Sequence, residues 1–91
     1  MADRASAKVT IKNRLGLHAR PAMSFVDTAA AYECSIKVRK DDMEVDGKSI
    51  MEIMMLAATR GTELEVIAEG DDAEACIAEL KKLVDRGFDE E

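Results

Sequence analysis

The chain is predicted to be an α+β open-faced β-sandwich of order β-α-β-β-α-β-α, with a four-stranded antiparallel sheet covered on one face by three helices. Three observations carry this. Four short stretches alternate apolar and polar residues with a period of two, as strands with one buried face do. Three other stretches repeat apolar residues at helical spacing. The two periods follow one another through 91 residues with no linker, low-complexity tract or internal repeat, which predicts a single domain spanning residues 1–91.

Ala7, Val9 and Ile11 alternate with Lys8, Thr10 and Lys12 in the first strand. Asn13 to Leu17 forms a loop, and a helix follows with Ala22, Phe25, Val26, Ala29 and Ala30 on one face. Pro21 is compatible with the first turn, where its missing N–H has no intrahelical partner to lose. Cys34, Ile36 and Val38 mark a second strand, and Asp41-Asp42 turns the chain into a short third one through Met43 and Val45. Ser49 opens a second helix expected to run to Arg60-Gly61. Leu64, Val66 and Ala68 alternate with Glu63, Glu65, Ile67 and Glu69 in a fourth strand. Asp71 or Asp72 caps a last helix that turns Ala73, Cys76, Ile77, Leu80, Leu83 and Val84 inward and stops at Gly87. Alternation on one side only leaves one sheet face wet, so the helices share the other, in a split β-α-β arrangement.

Composition narrows the function classes. The net charge of −6 and three aromatic residues, Phe25, Tyr32 and Phe88, argue against nucleic acid as a partner, which needs a basic surface and a stacking platform. No apolar run is long enough to insert into a membrane. The opening Met1-Ala2-Asp3-Arg4-Ala5-Ser6 has no signal-peptide core, so a cytoplasmic location is expected. Cys34 and Cys76 are too few and too distant in sequence for a disulfide scaffold or a zinc site, and both fall on apolar phases, as buried thiols do. Neither a metal nor a cofactor is called for. Charge is uneven: Lys12, Arg14 and Arg20 surround the one histidine, while acids crowd residues 63–74 and the tail Asp89-Glu90-Glu91.

That histidine, His18, stands in Leu15-Gly16-Leu17-His18-Ala19-Arg20-Pro21-Ala22, where a glycine-containing loop meets a helix start. A neutral imidazole offers one nitrogen lone pair, and a helix start offers unpartnered N–H groups with a partial positive charge. Arg20 adds a fixed, forked cation in a place where a bare cation opposes the helix dipole, which makes sense if an anion is expected there. Nucleophile and anion cradle coincide, which suits a histidine that accepts a phosphoryl group and passes it on. On the residues alone, His18 could also be a plain helix cap.

The segment Gly16-Leu17-His18-Ala19-Arg20-Pro21-Ala22 resembles the active-site loop of HPr, the histidine phosphocarrier family of the bacterial phosphoenolpyruvate-dependent phosphotransferase system. The resemblance continues in Asp46-Gly47-Lys48-Ser49-Ile50-Met51 and, with length and element order, spans essentially the whole chain. It implies the open-faced sandwich reached above from periodicity. It also implies a monomeric carrier, without small-molecule turnover of its own, that takes a phosphoryl group on His18 Nδ1 from enzyme I. The group then passes to the A domain of a sugar-specific enzyme II. Arg20, Gly16 and the N–H groups of Ala19 and Arg20 would cradle the phosphate.

Leu17, Ile50, Met51 and Met54 would dock partners. The second helix is apolar almost all round, and a sheet can bury only a stripe such as Ile53, Leu56 and Ala57, leaving methionines to repack against several surfaces. Ser49 matches a regulatory serine modified by an HPr serine kinase in some relatives. Here, however, Ser49-Ile50-Met51-Glu52 reads as a capping box, and Glu52 stands where the Gram-positive pattern has glycine. Two rivals remain open: a carrier of the nitrogen-related branch with a regulatory output, and a ferredoxin-like binding module in which His18 is never phosphorylated.

Overall fold

A computed structural model describes residues 3–90. Met1 and Ala2, which open the chain, and Glu91, which closes the acidic tail, lie outside the described residues. The elements are β1 (Arg4–Thr10), α1 (Ala19–Ala30), β2 (Ser35–Lys40), β3 (Met43–Asp46), α2 (Ile50–Met55), β4 (Glu63–Glu69) and α3 (Ala73–Asp85), followed by a 3₁₀ turn at Gly87–Asp89. The strands form one antiparallel sheet in the order β1-β4-β2-β3. β4 therefore inserts between β1 and β2, the two strands that α1 connects, and makes the expected split β-α-β unit.

Register aligns the apolar phases into continuous rows. Ala7, Val66, Val38 and Val45 pair across all four strands, Ala5, Ala68 and Ile36 make a second row, and Val9 pairs with Leu64. Against these rows the helices bury Ala22, Phe25 and Ala29 from α1, Ile53 from α2, and the six expected apolar side chains of α3. Ala30 is exposed and Val26 half-buried, so the apolar face of α1 is narrower than predicted. On the uncovered face the opposite phase carries charge, with Arg39 reaching Glu44 at 3.0 Å and Glu65 at 3.7 Å. Ile67 also belongs to that face, yet is only 7% exposed, flanked across the sheet by Ser6 and Lys37.

Two further features depart from expectation. α2 ends at Met55 rather than near Arg60, with Leu56 as its cap and Ala57 in left-handed backbone (φ 49°). The cause is competition: residues 56–62 are drawn along the loop after β1, where Leu17 N donates to Ala58 O at 2.9 Å and Ile11 N to Thr62 O at 2.9 Å. Ala57, expected inside, is exposed, and Ala58 takes the buried position. The second departure is at α3. Asp72 is its N-cap residue, but its carboxylate leaves the helix to accept from Glu33 N at 2.8 Å and Cys34 N at 2.9 Å. Those bonds, first that from Glu33, hold its pKa below the ordinary carboxylate value.

Candidate functional site

The site grows out of the loop between β1 and α1. Asn13 is only 2% exposed, and its Nδ2 donates to Gly16 O at 2.7 Å while Gly16 N donates to Asn13 O at 3.2 Å. Gly16 adopts φ +72°, the left-handed region that favours glycine. Leu17 then dives into the core, and His18 emerges as the N-cap residue of α1.

His18 has extended backbone (φ −77°, ψ −172°), and its ring makes no capping bond to the helix it opens. Its carbonyl accepts the first helical bond, from Ala22 N at 3.0 Å. Ala19 and Arg20, ahead of that bond, have no intrahelical acceptor, and neither donates a backbone hydrogen bond among the described residues. Arg20 is exposed and forms no ion pair among the described residues. A half-exposed imidazole thus opens a helix whose first two N–H groups, on Ala19 and Arg20, and whose Arg20 side chain are unengaged among the described residues, with no acidic residue in the first turn. The ring is directed elsewhere: Nε2 lies 3.0 Å from Glu90 Oε1, and the same oxygen accepts from Asn13 Nδ2 at 3.1 Å.

Three placements correct the sequence reading. Leu17 was expected at a docking rim, but it is 6% exposed because its amide is tied to Ala58 and its side chain joins the core. Leu15, at 66% exposure, is the apolar side chain the loop presents. Gly16 was expected to offer its backbone to the cradle, but it is buried and its N–H is already donated to Asn13. In sequence the acidic tail lies far from the basic rim around His18, yet Glu90 crosses 72 positions to reach His18. Asn13 and Glu90 were missed as site residues. Gly87 signals a helix stop, but no local pattern says where the chain goes next.

On α2, Met51 is 75% exposed, Met54 and Met55 are exposed, and Ile50 is half-buried. Met23 on α1 is a further exposed methionine that the sequence reading did not single out. The Ser49 cap is half of the expected box. Its Oγ accepts from Glu52 N at 3.2 Å, but the Glu52 carboxylate turns back to Asp46 N at 2.9 Å, because Ser49 N already donates to Asp46 O. Cys34 and Cys76 are free and buried, and burial pushes the Cys76 thiol up to about 12, which leaves it inert as a nucleophile. No cluster of metal-ligand type occurs among the described residues.

A family profile described as "PTS HPr component phosphorylation site" matches residues 5–86. The chain belongs to the HPr family. An HPr of Pseudomonas aeruginosa is 46% identical over 84 residues, covering 91% of this chain and 93% of that protein. The Escherichia coli phosphocarrier protein NPr is 34% identical over 84 residues, with the same coverage of each. Among solved structures, HPr-C-His from Thermoanaerobacter tengcongensis superposes with a TM-score of 0.92 at 45% identity, over 96% of this chain and 98% of that one. HPr proteins are phosphocarriers of the phosphotransferase system, so this chain carries phosphoryl groups by family. The HPr profile takes in the His18 loop and α2 and ends at residue 86, before Glu90.

Proposed function

We propose that His18 is the phosphoryl acceptor of a monomeric, single-domain, cytoplasmic carrier in the sugar branch of the phosphotransferase system. The phosphoryl group comes from a phosphohistidine on enzyme I and leaves to the A domain of a sugar-specific enzyme II. The observation that carries this is the arrangement at the start of α1: a ring not used as a cap, on a helix start where the N–H groups of Ala19 and Arg20 and the exposed Arg20 side chain have no partner among the described residues. The sugar branch is preferred because Ser49-Ile50-Met51 resembles that branch, although Ile11-Lys12-Asn13-Arg14 also resembles the nitrogen-related one.

The chemistry is a displacement at phosphorus. The lone pair of His18 Nδ1 forms an N–P bond as the donor's N–P bond breaks, and the released pair returns to the donor ring. Catalysis of such a loose transition state is mostly positioning and charge stabilisation. Helix N–H groups and a guanidinium supply both without a deep pocket. Incubation with phosphoenolpyruvate and enzyme I should give one acid-labile, base-stable phosphate, and His18→Ala should remain folded and accept none. Acid-labile label retained in that variant overturns the assignment.

A further inference from the structure

We propose that Glu90 is a positioning residue for His18, holding the imidazole as the tautomer that is nucleophilic at Nδ1; this rests on the phosphocarrier reading above. The ring nitrogen facing Glu90 is Nε2, at 3.0 Å from Oε1. An ionised carboxylate only accepts hydrogen bonds, so this contact requires the proton on Nε2. A neutral ring with Nε2–H has its lone pair on Nδ1, the nitrogen directed away from Glu90.

The carboxylate is itself held in place. Asn13 Nδ2 donates to the same Oε1 at 3.1 Å, from a side chain only 2% exposed whose other bond closes the loop at Gly16. From the other side, Glu90 N donates to Gly87 O at 2.9 Å, and Phe88 anchors the turn in the core. A ring, a carboxylate that orients it and a buried amide that orients the carboxylate form a relay of the kind that fixes histidine tautomers in nucleophilic sites. As Nδ1 bonds to phosphorus the ring gains positive charge, and the Nε2 proton stays where it is beside the carboxylate. No proton transfer, metal or further reactant is needed. Glu90 lies beyond the residues matched by the family profile, so likeness to the family does not assign it this role.

The test compares Glu90→Ala and Glu90→Gln with the wild type, each checked for folding by its melting temperature. Ring ¹⁵N shifts of the neutral imidazole report the tautomer, and single-turnover phosphorylation by phospho-enzyme I reports the reaction. We expect the Nε2–H form alone in the wild type, a mixture in Glu90→Ala, and the Nε2–H form kept in Glu90→Gln, whose amide oxygen still accepts. Phosphorylation should slow about tenfold in Glu90→Ala, the equivalent of one charge-assisted hydrogen bond, and less in Glu90→Gln. Wild-type tautomer and rate in Glu90→Ala, with the wild type itself labelled normally, overturn this proposal alone. A wild type that takes no phosphoryl group overturns the phosphocarrier reading and this proposal with it.

Discussion

Gly16 and Ala58 meet backbone to backbone: a methyl group at Gly16 would lie 2.4 Å from the Ala58 carbonyl oxygen and 2.9 Å from Thr59 Cα. The loop that presents His18 and the chain leaving α2 are thereby locked together, reinforced by the bond from Leu17 N to Ala58 O.

Gly16→Ala should therefore be costly. Left-handed backbone costs a non-glycine residue about 1–2 kcal/mol, and the overlap is with backbone that cannot swing aside. We expect a loss of about 2 kcal/mol or more in denaturant unfolding, with slower phosphorylation of His18 from the displaced loop. Stability within about 0.5 kcal/mol of wild type would show that the loop yields freely.

Arg20→Ala should separate function from folding. The guanidinium is exposed and unpaired among the described residues, so removing it should change stability by no more than about 0.5 kcal/mol. Losing a charge-assisted contact to the phosphoryl group should slow transfer about tenfold or more. Arg20→Lys should recover only part of this, since the planar fork is lost. Quenched-flow transfer from phospho-enzyme I measures both, and unchanged rates in Arg20→Ala would remove the residue from the reaction.

Two positions of α2, two residues apart, should behave oppositely. Met51 is exposed and Ile53 has no exposure at all. Met51→Glu should leave the melting temperature nearly unchanged while weakening enzyme I binding by about 1 kcal/mol or more. Ile53→Ala should cost about 2–5 kcal/mol of stability, as large-to-small changes in packed cores do. Unfolding by Met51→Glu would place that side chain in the core and end the docking assignment for it.

Ser49 should be a poor substrate for an HPr serine kinase. Its hydroxyl is engaged with Glu52 N, and a phosphate there would meet the Glu52 charge one helical turn away. Glu52→Gln keeps an acceptor for Asp46 N and removes the charge, so it should raise the phosphorylation rate without loss of fold. Glu52→Gly also removes the charge but should cost about 1 kcal/mol, because the Asp46 bond goes with it. Efficient labelling of wild-type Ser49, read by mass spectrometry as acid-stable phosphate, would refute the electrostatic objection.

The fold was written in short-range periodicity. Val9, Val38 and Val66 each sit in a two-residue alternation, and Ile77, Leu80 and Val84 in a helical one, so each segment declared which face it buries. The His18 loop was legible for the same reason, since histidine, arginine, proline and glycine act within a few residues of one another. Contacts closed over long stretches of chain were not legible. Leu17 looked like a rim residue until Ala58 claimed its amide, and α2 looked longer until residues 56–62 found partners beside the loop. Glu90 looked like one more solvated acid of an acidic tail, yet it reaches His18 because Phe88 is drawn into the core and turns the chain back. Local patterns report burial against water, which neighbouring residues share. Which distant backbone groups pair with one another depends on the space left once the sheet and helices have packed, and that is decided only in three dimensions.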